Sequence, residues 1–377
     1  MTVEAGTAHA GLIVDIGAEA LVFQGAGRPF ERIGVPTVVL HPGELLVEVE
    51  LATICGSDVH TYAGRQVASG PVVLGHEQVG RVVALGPHRP ARDVGGHPLS
   101  VGDRVVWGVG VDCGRCRYCH AGIPQACATV RRYGHDRVRR GWELSGGFAS
   151  HVQLLARTPI VRVSDELPAE LLAPVSCATA TIAAALEAAS AIRPLAGATV
   201  VVTGAGMRGL TAIAMARDAG ATVIATDPDA ERRELAERFG ARATADDSSA
   251  GLAAALRRVP SARSGPTIGI EVSGAAAALR ALLDVTDVGG VILLVGSVFN
   301  ASTVPLDPEA LARRQLTIRG VHDYAPRHLV QAVEFLQRTA GTAPFADLVG
   351  EQFPLAEAER AFRHAADREV ARVGLRP

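Results

Sequence analysis

No uninterrupted apolar run in this 377-residue chain reaches the ~20 residues that a membrane span requires. The first residues, MTVEAGTAHAGLIVDIGAEA, lack a basic segment leading into an apolar core, so no secretory leader is expected. Net charge is close to zero, formally −2, which gives no reason to expect a nucleic-acid or membrane-surface partner. Internal repeats are absent, and so are low-complexity tracts beyond alanine-rich stretches. These absences leave an ordinary globular protein, 48% hydrophobic and 20% charged, long enough for two domains and expected in the cytoplasm.

The first third reads as short strands. ELLVEVELATI, VGRVVAL and VGDRVVWGVGV are rich in Val, Leu and Ile between Gly and Pro, which suggests a β-rich, barrel-like domain. After about residue 165 the texture changes. GATVVVTGAGMRGLTAIAMARDAGATVIATD runs strand, glycine turn, helix, strand, and TIGIEVSG, GGVILLVGS and LTIRGV look like further buried strands. Alternating strands and helices predict a doubly wound parallel sheet. RHLVQAVEFLQRT is expected to be helical.

Gly204, Gly206 and Gly209 stand in G-x-G-x-x-G spacing between a predicted strand and helix. In that context the glycines make the tight turn, admit a pyrophosphate and let the helix pack on the sheet, with phosphates facing free N–H groups at the helix start. Met207, Arg208 and Thr181 are grouped with the glycines as cofactor-binding candidates. Asp227 ends the next strand, twenty-three positions after Gly204. A carboxylate there accepts from ribose hydroxyls and repels a 2′-phosphate, so NAD is expected over NADP. Arg208 is unexpected at a position that usually carries an apolar residue. Contact with cofactor phosphates, with an anionic substrate, or with solvent alone are all open for it.

All six cysteines are placed suggestively. Cys113, Cys116, Cys119 and Cys127 follow C-x2-C-x2-C-x7-C, a spacing that suits a closed tetrahedral zinc site in a lobe at about 112–128. A site with no open position holds a loop and does no chemistry. Cys55 and Cys177 remain. With His76 they supply two thiolates and an imidazole, the three ligands of a catalytic zinc with one position open, and Glu77 beside His76 is a transient or alternative ligand.

Here the chain resembles the zinc-dependent medium-chain alcohol dehydrogenases. The matching pieces are CGSDVH, GHE, the four-cysteine loop, GGFASHV, the cysteine in SCATAT, and GAGMRG with Asp227. Within that superfamily RRYGHDRVRRGWELSGGFASHV and TIRGVHDYAPRHLVQAVEFL are similar to alcohol dehydrogenases associated with phosphonate metabolism. The resemblance implies a GroES-like barrel catalytic domain from residues 1–177 and 321–377, and a Rossmann domain from 178–320. It implies two zinc ions per subunit, one catalytic and one structural, and assembly as a homodimer or homotetramer. By position, Cys55, His76 and Cys177 hold the catalytic zinc and Asp58 supports them. Ser57 hands the substrate proton to the cofactor ribose and then to His60. Thr181 lies near the nicotinamide, and Arg372 reaches the pyrophosphate.

The implied reaction is hydride transfer between an alcohol carbon and NAD. Arg131, Arg132, Arg137, Arg139 and Arg140 form a basic run that is read either as a solvated face or as a grip on a phosphonate or phosphate. A phosphonate-bearing small alcohol or aldehyde is the first substrate expectation. A cyclitol, polyol or alicyclic secondary alcohol is the alternative. Two further readings stand beside dehydrogenation: a module that senses NAD without turnover, and a zinc enzyme using bound NAD for internal redox such as epimerisation or elimination.

Overall fold

The structure is a computed structural model and describes residues 11–68, 70–88, 91–262, 264–298, 302–367 and 371–377. Residues 1–10, the first half of the segment in which no leader is expected, lie outside the described residues. In chain order the strands are β1 (Leu12–Phe23), β2 (Glu31–Leu40), β3 (Leu45–Ile54), β4 (Val72–Val73), β5 (Gln78–Leu85), β6 (Arg104–Trp107), β7 (Gly110–Val111), β8 (Arg131–Arg132), β9 (His151–Leu154), β10 (Ile160–Arg162), β11 (Thr199–Thr203), β12 (Thr222–Thr226), β13 (Ala243–Ala245), β14 (Ile268–Glu271), β15 (Val291–Leu294), β16 (Thr317–Gly320), β17 (Val349–Pro354) and β18 (Arg372–Arg376). The helices that matter below are α1 (Gly56–Tyr62), α2 (Arg117–His120), α3 (Ala169–Leu172), α4 (Ala178–Ser190) and α5 (Met207–Asp218).

The chain divides into two compact units. The first comprises Met1–Cys177, Ala325–Val333 and Ala346–Pro377; the second comprises Ala178–Tyr324 and Glu334–Phe345. The helix over Pro326–Thr339 is divided at Val333 between the two. No single described helix is long and apolar enough to cross a membrane.

In the first unit a seven-stranded sheet runs β10-β6-β5-β3-β18-β17, with β9 also paired to β3. β1 and β2 form a long antiparallel ribbon extended by β4, and β7 pairs with β8. The β1–β2 ribbon lies in the third of the chain that reads as strands but outside the stretches named there, since Gly17 and the Ala residues of LIVDIGAEALVF dilute a period-two pattern. β3 is the hub. It pairs antiparallel with β5, β9 and β18, so its carboxyl end lies beside the amino ends of β5 and β18: Ala52 opposite Gln78, and Ile54 opposite Val373. That juxtaposition builds the site described below.

The second unit holds a six-stranded parallel sheet in the order β13-β12-β11-β14-β15-β16. Every residue of β11, TVVVT, is buried, as expected where helices cover both faces of a parallel sheet. The strand order reverses between β11 and β14, and ligands of such sheets bind outside the carboxyl ends at this reversal.

Candidate active site and nucleotide crevice

Four donors converge in the first unit. Cys55, His76, Glu77 and Cys177 are all buried, and one ligand atom from each lies within 4.8 Å of every other. Cys55 follows β3 directly and caps α1; its backbone N–H donates to Asp58 Oδ2 at 2.9 Å. His76 and Glu77 immediately precede β5, and the Thr53 N–H of β3 donates to the Glu77 carbonyl at 2.8 Å. Cys177 sits between the short turn over Ala173–Ser176 and α4, and its neighbour Ser176 donates its hydroxyl to the His76 carbonyl at 3.0 Å. Strand pairing thus places the ligands, and one side-chain bond ties the third segment to them.

The two sulfurs are 3.9 Å apart. Their contact, with help from Arg372, pulls the Cys55 thiol well down, while the same contact and burial push Cys177 up, so one proton is shared unequally between them. Burial works to lower the His76 pKa, but the charge of Asp58 and its neighbours outweigh it and the net shift is upward. His76 Nδ1 lies 3.5 Å from Asp58 Oδ1, in ion-pair range but outside hydrogen-bond geometry, and both atoms are buried without a hydrogen-bond partner. A small turn of the imidazole would join them. A metal-bound histidine ordinarily donates its other N–H to a carboxylate in this way. Two thiols, an imidazole and a carboxylate in a buried cluster fit zinc.

Glu77 is engaged elsewhere at the same time. Arg372, the first residue of β18, grips it with both branches of the guanidinium: Nε to Oε2 at 2.6 Å and Nη2 to Oε1 at 2.7 Å. Thr53 adds a hydroxyl donor at 2.7 Å, and Arg372 Nη2 also reaches Cys55 Sγ at 3.6 Å. To ligate a metal, Glu77 must give up part of this grip. The resemblance carries Arg372 over as a pyrophosphate contact; besides its fork on Glu77, its remaining branch donates to the Ala371 carbonyl at 2.8 Å.

Ser57 is buried in α1, with Oγ 3.4 Å from His76 Nε2. His60 lies one turn further along the same helix, on the same face. Asp58 both caps α1, by accepting the Cys55 N–H, and faces His76.

His135 is a neighbour that the sequence did not reveal. Its ring packs against the ring of His76, with centroids 4.7 Å apart and planes tilted by 36°. Gly134 makes the approach possible: its φ is +76°, and a Cβ there would meet the Gly75 carbonyl. Of the basic run, this histidine is the member that reaches the cluster. Arg131 pairs with Asp136 at 3.5 Å, Arg132 donates to the Gln125 carbonyl at 3.0 Å, and Arg137, Arg139 and Arg140 are exposed. Three of the five arginines are thus exposed, and the other two are half-buried with partners of their own.

The second cluster, Cys113, Cys116, Cys119 and Cys127, also lies within 4.8 Å atom to atom and is carried by the loop around α2. The sulfurs of Cys116 and Cys119 are 3.5 Å apart, and those of Cys113 and Cys119 are 4.0 Å apart. Backbone N–H groups of Cys119 and Ala128 pull Cys116 down to about 6, and burial pushes Cys119 up to about 12. All six cysteines are free thiols, and four converging sulfurs fit a closed zinc site.

In the second unit β11 leads through Gly204–Gly206 into α5, whose first residue, Met207, is buried. Gly204 has φ +98°, and a Cβ on Gly209 would overlap the Gly204 carbonyl oxygen, so α5 can approach β11 closely only with glycine there. A Cβ on Gly206 would meet nothing within 4 Å, leaving open space over the helix start where a pyrophosphate fits. Asp227 Oδ2 accepts the Ala205 N–H at 2.7 Å and Oδ1 accepts the Asp229 N–H at 3.0 Å, which ties the acid to the glycine loop. Thr181 is buried in α4, and Arg208 Nη1 donates to the Val295 carbonyl at 3.4 Å. Gly209→Ala is expected to push α5 off the sheet. Binding of NADH, followed by its fluorescence, should weaken more than about tenfold, in line with the ~1–3 kcal/mol cost of overpacking.

The sequence and the fold agree with known proteins. Residues 41–165 match the family described as alcohol dehydrogenase GroES-like domain, and residues 209–338 match the zinc-binding dehydrogenase family. An L-threonine 3-dehydrogenase of Streptomyces coelicolor is 34% identical over 81% of this chain and 84% of its own. A 5-exo-hydroxycamphor dehydrogenase of Pseudomonas putida is 30% identical over 87% and 90%. A crystal structure of an alcohol dehydrogenase from Thermotoga maritima superposes with a TM-score of 0.89 at 30% identity, covering 97% of this chain and all of that one. The chain belongs to the zinc-dependent medium-chain alcohol dehydrogenase superfamily, with a GroES-like domain and a Rossmann-type domain. It is an oxidoreductase of CH–OH groups that works with zinc and a nicotinamide cofactor.

Proposed function

We propose that the protein interconverts a small alcohol and its carbonyl compound, with NAD preferred over NADP and with one catalytic and one structural zinc per subunit. The observation that carries the reading is the buried convergence of Cys55, His76, Glu77 and Cys177 with the Ser57 hydroxyl 3.4 Å from the His76 ring. When bound, zinc supplies a Lewis acid for the substrate oxygen, and the nicotinamide supplies the hydride acceptor. This chain's residues do the rest. Ser57 Oγ takes the hydroxyl proton and passes it toward His60, one turn along α1. Asp58 faces the His76 imidazole at 3.5 Å. Arg372 and Thr53 hold Glu77. Asp227 favours a ribose with free hydroxyls. Assembly as a homodimer or homotetramer in the cytoplasm belongs to the same proposal.

For the substrate, a secondary alcohol has the better support. The hydroxyls named in 5-exo-hydroxycamphor and in L-threonine at position 3 are both secondary, and the arginine run is not gathered at the donor cluster. A phosphonate-bearing alcohol remains the second reading, favoured by the cationic His135–Arg140 segment that begins beside His76. The test is NADH formation by zinc-loaded protein with alicyclic secondary alcohols, cyclitols and polyols beside 2-hydroxyethylphosphonate. Turnover confined to the neutral secondary alcohols supports the first reading. Turnover confined to the phosphonate replaces it with the second. No turnover of any alcohol with NAD or NADP removes both, in favour of internal redox or sensing.

A further inference from the structure

Arg208 is the second residue of α5, and its guanidinium reaches the carbonyl of Val295, just past β15. α5 begins at the end of β11, and β14 lies between β11 and β15 in the sheet. The side chain therefore crosses the carboxyl end of β14. In a doubly wound sheet the dinucleotide lies along this edge, with its pyrophosphate at the helix start and the acid of the following strand at the adenosine ribose. In this chain that acid, Asp227, follows β12, on the opposite side of β11 from β14. The adenosine half is thereby assigned to the β12 side and the nicotinamide half to the β14–β15 side, where Arg208 is held.

We propose that Arg208 sets a fixed positive charge against the nicotinamide end of the crevice and so makes the protein favour the reduced cofactor over the oxidised one. The inference rests on the nicotinamide reading above. The oxidised ring carries a positive charge; after it accepts a hydride, two electrons and one proton, the ring is neutral. Repulsion from a neighbouring guanidinium acts on the first form alone, and arginine cannot relieve it by losing a proton. The ratio of the NAD+ and NADH dissociation constants rises, and the bound couple becomes a stronger hydride acceptor. The nearby carboxylate of Glu271 is buried and accepts from Ser273 Oγ at 2.8 Å, the Gly274 N–H at 2.6 Å and Ser297 Oγ at 3.0 Å. It is common to wild type and variants, so a substitution at 208 isolates the guanidinium.

The experiment measures dissociation constants of NAD+, NADH and ADP-ribose by calorimetry for wild type, Arg208→Gln and Arg208→Lys. Arg208→Gln is expected to lower the ratio of the NAD+ to the NADH constant by about tenfold, the size of one unit-charge interaction near a protein surface. Arg208→Lys should hold the ratio near the wild-type value. ADP-ribose, which lacks the ring, should bind all three proteins alike and reports that the crevice is folded. Equal weakening of all three ligands by Arg208→Gln would make Arg208 a phosphate contact and overturn the proposal, as would an unchanged ratio. Failure of wild type to bind any of the three would bring down the nicotinamide reading itself.

Discussion

Cys55→Ala should abolish turnover while leaving the fold in place. The substitution removes one of two buried thiolates from the donor set, but not the backbone N–H by which residue 55 caps α1 on Asp58. Loss of groups that merely orient ligands costs ~10–100-fold in metal affinity or activity, so loss of a ligand should cost more than about 100-fold. Metal analysis of the purified variant should show one zinc fewer per chain than wild type, because the four-cysteine cluster shares no residue with this one. Far-ultraviolet circular dichroism should be unchanged. A variant that keeps both its zinc content and its activity would disprove the assignment of this cluster as the catalytic centre.

The other large effect is expected at Arg372. Its guanidinium is the fork on which a fully buried carboxylate, Glu77, is held, and the two residues are 295 positions apart in the chain. Breaking one side of a buried pair strands the other charge, at a cost of ~3–5 kcal/mol. Arg372→Leu should therefore lower the urea midpoint of the zinc-loaded protein sharply. Burial already pushes the Glu77 carboxyl up, against the opposing pull of Arg372. Without Arg372 it should rise further above its unfolded value, and the folded state then binds more protons than the unfolded one. The deficit should thus be small near the ordinary carboxylate range and grow as pH rises toward neutrality and beyond. Arg372→Leu combined with Glu77→Gln removes both charges and should recover much of the loss, giving a clear coupling energy between the two sites. Simple additivity of the two substitutions would show that the pair is not what holds this corner together.

Much of the chemistry was legible in the chain. Local spacing carries the four-cysteine loop, because its ligands lie within fifteen residues and a short loop can only fold them toward one another. The same holds for the glycine turn, whose demands on backbone and side-chain volume are met at Gly204 and Gly209. Residue types alone also limited which groups could serve as zinc ligands once those four cysteines were set aside. These features are short-range, so sequence determined them.

What required the tertiary structure has the opposite character. Antiparallel pairing of β3 with both β5 and β18 brings Cys55, Glu77 and Arg372 together across up to 317 residues, and no local pattern in RVGLRP announces an arginine bound for a buried carboxylate. His135 reaches His76 because two glycine backbones, Gly75 and Gly134, touch without side chains between them, a contact between loops that spacing does not encode. The basic run looked like one feature in the sequence; folding exposes Arg137, Arg139 and Arg140, leaves Arg131 and Arg132 half-buried and sets His135 against His76. Arg208 was visible as an anomaly, but only the strand order β11-β14-β15 shows across which part of the crevice its charge is carried. Sequence sets which groups are present and how they cap and turn locally; the register of distant strands decides which of them meet.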